Sequence, residues 1–489
     1  MNKILFVSSE AFPLIKTGGL ADVAGSLPAA LLKQGQEVRL VLPAYQEILR
    51  TISKSKIIAT TTYFNQPVNI IQTKLPGTNV ITLLVDCPAA FDRPGAPYTD
   101  NRGQGWHDNA FRFAIFCYAA VDLALNKLQL GWQPDIVHCN DWQTGLVPAL
   151  LSLQKNRPRT VFTIHNLAYQ GLFDYQTFTD LELPDELWHH DGLEYYGKLS
   201  FIKGGLAYAD KITAVSQNYA REILQPEYGY GLEGLLNHRK KQLFGVINGI
   251  DEKHWNPGTD HCIPHKYNRR TINKKVLNKT ELQKEYSLPV DPSIPMIGMV
   301  SRLVEQKGLD IILQSLPILL QKSLQFVILG TGETHFEIQL SNWAKLYPKQ
   351  LKVVIGYDES LAHRIEAASD LYLMPSIFEP CGLNQLYSLR YGTLPVVTSV
   401  GGLADTVIDA TERNIKNGTA NGFVLSSKTA ISLLDTLERA MALYLKPETW
   451  KQLQLTAMSG DYSWKASAEH YIALYEDAIK VKRTSVSGV

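Results

Sequence analysis

Cysteine is scarce in this chain. Cys87, Cys117, Cys139, Cys262 and Cys381 are odd in number, scattered and without a CxxC pair. That argues against a disulfide framework or a zinc site and suits a reducing compartment. An excess of charge is missing too: 48 Lys and Arg against 47 Asp and Glu leave a net +1. Nothing there attracts nucleic acid or an anionic membrane over distance, so an anionic substrate must be held by local charges and a second partner is expected to be neutral. Long apolar runs are absent as well. None approaches the ~20 residues of a membrane span, and the short run at 4–7 is closed by Ser8-Ser9-Glu10, which makes it a strand rather than a leader. The expected location is the cytoplasm, or a plastid stroma if a transit peptide has been removed.

What is present is a globular balance, 45% hydrophobic and 19% charged over 489 residues, long enough for two domains of about 200–250 residues. The first 90 residues are read as alternating strands and helices: a strand over 3–8, a helix over 21–33 and a strand over 37–42. The pattern continues with a strand at 136–138, a helix over 145–153, and strands over 160–164 and 211–215. A second series starts with a strand over 296–300 and a helix over 308–321. Strands follow over 325–329, 352–355, 370–374 and 394–398. Nearly continuous apolar strands alternating with helices predict parallel sheets covered on both faces. The boundary is placed at 248–251, giving domains 1–249 and 250–489, before a polar, helix-poor stretch over 256–270. An amphipathic helix over 462–480 could cross back to the first domain, and the polar tail 483–489 is expected to be disordered. Tandem doubly wound domains bind ligands in the crevice between them, at strand C-terminal ends. The loops after strands therefore carry the candidate chemistry.

After the first strand comes Lys16-Thr17-Gly18-Gly19-Leu20, with Asp22 close behind. Paired glycines let a backbone approach a ligand, and a helix start offers N–H groups to an anion. An ordinary βα loop with a surface lysine would look the same. In the equivalent place of the second series, Arg302 and Lys307 flank a loop entering a helix, which suits a diphosphate leaving group. No DxD triplet is present to hold a divalent metal. Glu379-Pro380-Cys381-Gly382-Leu383 opens another helix after a strand. An isolated glutamate there is most simply a dipole partner.

These segments, with Phe162 to Gly171, Asn248-Gly249-Ile250-Asp251 and Gly401 to Thr406, resemble in order and spacing the signatures of bacterial glycogen synthases and plant starch synthases. The resemblance runs from the first strand to Trp464. It implies the α/β GT-B fold, two Rossmann-like doubly wound domains facing an interdomain cleft, and a retaining, metal-independent glucosyl transfer. Glucose would pass from ADP-glucose to the non-reducing end of an α-1,4-glucan, releasing ADP, without a further cofactor. Carried over by motif, Lys16, Arg302 and Lys307 would grip the diphosphate. Glu379 would hold glucose hydroxyls near the reacting centre, with His165 and Asn166 against the sugar. Gly18, Gly19, Asp22, Asp141, Asn248, Cys381, Gly382 and Leu383 would complete the donor site, and Tyr357 would stack on adenine. Tyr98, Trp142 and Gln143 would border the acceptor, although Gln143 stands where the family usually has His. Asn384 and Asn140-Asp141-Trp142 lean toward the starch synthase branch. Two other readings stay open: a GT-B enzyme with a different, smaller acceptor, and a non-catalytic glucan-binding protein.

Overall fold

The computed structural model of the chain describes residues 1–480. The expectation of a disordered tail at 483–489 lies outside them. Two compact units emerge, one built from Met1–Gly249 together with the helix Trp464–Lys480, the other from Ile250–Ser463.

The first unit is organised on a nine-stranded sheet. Its strands are β1 (Lys3–Val7), β2 (Glu37–Pro43), β3 (Lys56–Tyr63), β4 (Gln66–Lys74), β5 (Ile81–Asp86), β6 (Ile136–Asn140) and β7 (Arg159–Ile164), then β11 (Lys211–Ala214) and β12 (Leu243–Gly245). The short β8 (Leu172–Phe173), β9 (Glu194–Tyr195) and β10 (Lys198–Ser200) form a separate small sheet. The order in the large sheet is β12-β11-β7-β6-β1-β2-β5-β4-β3. Strands β6 and β7 are almost wholly buried, as strands covered on both faces must be. The sheet is not parallel throughout. The β3–β4 and β4–β5 pairs are antiparallel, so the expected strand–helix alternation fails between Lys56 and Asp86. The β3–β4 turn sits on Phe64 and Asn65, both at positive φ (49° and 60°), the geometry of a two-residue hairpin turn.

The second unit has a six-stranded, all-parallel sheet: β13 (Met296–Val300), β14 (Gln325–Gly330), β15 (Leu351–Ile355), β16 (Leu371–Met374), β17 (Leu394–Val397) and β18 (Phe423–Val424). Its order is β15-β14-β13-β16-β17-β18. The chain starts at the centre on β13, runs out to β15, and returns to build the other half from β16. The reversal lies between β13 and β16, so the loops that follow these two strands open side by side. One core cluster, with Leu309, Ile312, Leu316, Phe326 and Leu433, covers one sheet face; another, with Leu361, Ile365, Val397 and Leu403, covers the other.

Candidate active-site residues

In the first unit, the helix Gly19–Lys33 starts two residues earlier than the sequence suggests, so Gly19 lies in its first turn and Gly18 is the extended residue before it. No side chain among the described residues caps this end. Lys16 Nζ reaches Asp22 Oδ1 at 2.8 Å, both partly exposed. The loop's shape is fixed from beneath by Glu10, which the sequence reading did not single out. Its carboxylate accepts from the Thr17 and Gly18 N–H groups, from Thr17 Oγ1 at 2.8 Å, and from the Tyr98 hydroxyl at 3.0 Å. Burial pushes the Glu10 pKa up, and these donors pull against it. Tyr98 also meets Ser9 Oγ at 2.7 Å, so the lysine loop and Tyr98 share one carboxylate.

Strands β6 and β7 deliver a second group. Asp141, at φ 56°, sits just past β6, and its Oδ1 accepts from the backbone N–H of His165 at 2.7 Å and of Asn166 at 3.4 Å. Burial raises its pKa to about 7 against these two donors. His165 Nε2 lies 3.0 Å from Asn140 Oδ1, while the Asn140 amide group donates to Val7 O at 3.0 Å. That orientation makes Asn140 Oδ1 an acceptor, so the proton of His165 is on Nε2 and its Nδ1 carries the lone pair. Burial lowers the His165 pKa to about 3, which keeps the ring neutral at physiological pH. The Asn166 side chain turns back on its own loop, Oδ1 accepting from Ala168 N at 3.1 Å.

Trp142 packs in an aromatic group with Phe113 at 5.0 Å, Phe173 at 6.1 Å, Phe201 at 6.2 Å and Tyr98 at 6.5 Å between ring centroids. Gln143 lies in the same short helical turn but is only 4% exposed, and its Oε1 has no hydrogen-bond partner among the described residues. Asn248 is buried near the end of this unit, its Oδ1 likewise without a partner.

In the second unit, the loops after β13 and β16 meet. Lys307 Nζ contacts Glu379 Oε2 at 2.5 Å, and Ser376 Oγ donates to the same oxygen at 3.1 Å. Glu379 is 7% exposed. A buried carboxylate is costly unless paired, and here a cation and a hydroxyl hold it. Gln306 ties the loops together, its Nε2 donating to Phe378 O at 3.0 Å and its backbone O accepting from Ile377 N at 2.9 Å. Gly308, at φ 75°, precedes the helix Leu309–Leu319, and a Cβ there would lie 2.1 Å from Pro375 O. Only glycine lets the lysine loop press against the β16 loop. Arg302 is exposed, its Nη2 3.5 Å from Gln306 Oε1.

Cys381, Gly382 and Leu383 lead into the helix Asn384–Tyr391. Asn384 Nδ2 donates to Val300 O at 2.6 Å and to the Tyr372 hydroxyl at 2.7 Å, so it pins this helix start to β13 and β16. Gly401 and Gly402 open the helix Gly401–Thr406 directly against the Glu379 segment, and Gly402 N donates to Pro380 O at 3.1 Å. Their role in this unit is close backbone approach. Tyr357, after β15, is 78% exposed, and its hydroxyl donates to Glu359 Oε2 at 3.3 Å. Among the described residues, no group of three metal-ligating side chains includes Glu379, Asp141 or Glu10.

Within the first unit the structure therefore brings Lys16, Gly18, Gly19, Asp22 and Tyr98 together, and separately Asp141, His165 and Asn166. Within the second it joins Lys307, Glu379 and the segment through Leu383. Glu10, Asn140, Gln306 and Ser376 are partners the sequence reading missed. Glu10 carried a visible signal, a carboxylate directly after the first strand, and Asn140 another, as the start of Asn140-Asp141-Trp142.

Residues 3–238 match the family model described as starch synthase catalytic domain, and residues 279–453 the model of glycosyl transferases group 1. The chain is 54% identical to a glycogen synthase of Cellvibrio japonicus over 479 residues, covering 97% of this chain and 99% of that one. It is 52% identical to glycogen synthase 1 of Methylococcus capsulatus, covering 98% and 97%. Among solved structures, the catalytic domain of starch synthase IV from Arabidopsis thaliana, bound to ADP and acarbose, superposes with a TM-score of 0.88 at 31% identity, covering 98% of this chain and all of that one. A sucrose-phosphate synthase of Thermosynechococcus elongatus, at 15% identity and a TM-score of 0.60, shares the fold. Identity to the two bacterial glycogen synthases thus exceeds that to the plant enzyme, so Asn384 and Asn140-Asp141-Trp142 do not by themselves set the branch.

Proposed function

The chain belongs to the starch and glycogen synthase family of glucosyltransferases, and from that membership we propose its reaction. Glucose passes from ADP-glucose to the non-reducing end of an α-1,4-glucan, and ADP is released. The observation that carries the site assignment is the buried Lys307–Glu379 contact at 2.5 Å, held by Ser376 and Gln306. A lysine fixed in this way is a preorganised cation for charge that grows on the departing diphosphate. Lys16 and Arg302 add two further cations. Glu379 holds glucose hydroxyls, and the backbone of Cys381, Gly382 and Leu383 with Gly18 and Gly19 lies along phosphate and sugar. Asp22 and Asn248 support the donor, and Tyr357, exposed on its loop, stacks on adenine.

His165, neutral and with Nδ1 carrying its lone pair, is suited to accept a hydrogen bond from a sugar hydroxyl, beside Asp141 and Asn166. The acceptor glucan is bordered by Tyr98, Trp142 and Gln143. The transfer retains the anomeric configuration by front-face displacement. The C1–O bond to the diphosphate breaks as the acceptor O4 bonds to C1 on the same face, and a phosphate oxygen takes the acceptor's proton. Positioning and charge stabilisation supply the rate, and no metal or other cofactor takes part. No helix among the described residues is long and apolar enough to cross a membrane, and the proposed location is the bacterial cytoplasm.

The test is incorporation of labelled glucose from ADP-glucose into glycogen in excess EDTA. Full incorporation is expected. Absence of transfer would defeat the donor and acceptor assignment, and activity that only Mg²⁺ or Mn²⁺ restores would defeat the metal-free mechanism.

A further inference from the structure

In the second unit, three side chains outside the described mechanism converge, one of which, Glu359, also accepts from the Tyr357 hydroxyl. The ligand atoms of His254, Glu359 and His363 all lie within 4.8 Å of one another. His254 Nε2 and Glu359 Oε1 are 2.8 Å apart and partly exposed, whereas His363 is fully buried. Its imidazole is clamped. Trp255 stacks on it at 3.8 Å and 11°, and Tyr387 stacks on the far face of Trp255 at 3.8 Å and 9°. Its Nδ1 lies 2.8 Å from Asp260 Oδ2, which also accepts from the Tyr391 hydroxyl. Asp260 therefore holds the proton on Nδ1 and leaves the lone pair on Nε2. That nitrogen is buried and has no hydrogen-bond partner among the described residues.

A buried acceptor without a donor is costly in a folded protein. The carboxylate–imidazole arrangement behind it is the one that orients histidines toward metals and raises their basicity. Two imidazole nitrogens and one carboxylate oxygen, open to solvent on the His254 side, suit a tetrahedral divalent ion that keeps water as its fourth ligand. Ligand atoms around such an ion stand ~3.3 Å apart given bonds of ~2.0–2.1 Å, so the observed group needs only small side-chain movements. We propose that His254, Glu359 and His363 form a binding site for one transition-metal dication of the Zn²⁺ class, with Asp260 as the positioning residue behind His363. The scarcity of cysteine argues against a zinc site built on thiolates, and none of the ligands here is a thiolate. A rival group, Asp260, Cys262 and His363, shares one histidine with it. That group would have to use the nitrogen Asp260 already occupies or turn the clamped ring.

The experiment is calorimetric titration of Zn²⁺ into the untagged, chelator-stripped full chain, with Co²⁺ absorption spectra as a second readout. One equivalent should bind the wild type. His254→Ala and Glu359→Gln, both at partly exposed positions, should each bind at least ~100-fold more weakly, since losing a direct ligand costs no less than losing an outer partner, itself ~10–100-fold. Cys262→Ser should bind like the wild type. Melting without metal checks that each variant is folded. The proposal fails if the wild type shows no saturable equivalent, if His254→Ala keeps wild-type affinity, or if Cys262→Ser loses it.

Discussion

Lys307 and Glu379 come from loops 72 residues apart in sequence, yet they share a contact that excludes most water. In the resting protein this contact neutralises the lysine. On the proposed reaction, negative charge grows on the departing diphosphate, and Lys307 is one of the three cations assigned to it, with Lys16 and Arg302. Lys307→Ala should therefore lower kcat by at least ~100-fold while changing ADP affinity much less, the pattern of an interaction strengthened in the transition state. Steady-state kinetics with ADP competition checks this. Equal loss in ADP binding with kcat unchanged would make Lys307 a ground-state binding residue. The residue stood out in the sequence because its motif is local, as did Lys16, Arg302 and Glu379. Glu10 and Asn140 were not identified, because their meaning lies in distant partners: Tyr98 is 88 residues from Glu10, and His165 is 25 from Asn140. Gln143 was placed at the acceptor's edge by its neighbour Trp142. In the structure Gln143 is buried within the same short helical turn as Trp142.

Elements were legible where hydrophobic periodicity and burial agree. Strand β13 and the helices that follow β1 and β13 lie within two residues of expectation, because each strand is a short apolar run ended by a glycine-bearing loop. The β3–β5 meander escaped because its turn carries Phe64-Asn65 and not the Asn-Gly or Asp-Gly pair that announces a hairpin. The Gly401-Gly402 helix start shows how an element positions a side chain it does not contain. Gly401 has φ 41°, and a Cβ there would fall 1.9 Å from Glu379 O. Gly401→Ala must therefore push the Glu379 backbone away or unwind the start of its own helix, at about 1–3 kcal/mol for the strained backbone alone. A lower Tm together with a kcat loss larger than that of a comparably destabilised variant far from Glu379 is expected. If the Tm falls and kcat holds, the helix start supports the fold without positioning Glu379.

At the scale of the whole chain, the order of elements in sequence is not their order in space. The last helix, Trp464–Lys480, belongs to the first unit, two hundred residues after that unit's sheet is finished. Its amphipathic pattern was visible in the sequence and a return to the first domain was expected, but the residues it meets were not legible, because periodicity shows that a face is buried and never against what. The partner is written in side chains. Trp464, Ala468, Tyr471, Leu474 and Tyr475 are buried, and the Tyr475 hydroxyl lies 2.7 Å from Nδ1 of the fully buried His138. His138 Nε2 in turn meets Thr163 Oγ1 at 2.6 Å, and Thr163 meets Thr213 at 2.6 Å, so the helix is the outer end of a polar chain crossing β6, β7 and β11. Ser467 Oγ donates to Ile247 O, and Lys211 pairs with Asp477 at 2.5 Å. Truncation after Ser463 would expose that apolar surface and strand His138 Nδ1, a double cost to the first unit. The second unit keeps its core clusters, none of which includes a residue beyond Ser463. Limited proteolysis read by mass spectrometry across a thermal ramp should show cleavage within 1–249 moving to lower temperature while sites within 250–463 hold. Tyr475→Ala should do the same on a smaller scale, about 3–5 kcal/mol by analogy with other buried aromatic truncations. Unchanged cleavage of the first unit in both variants would mean that the C-terminal helix is an accessory to its sheet rather than part of its core.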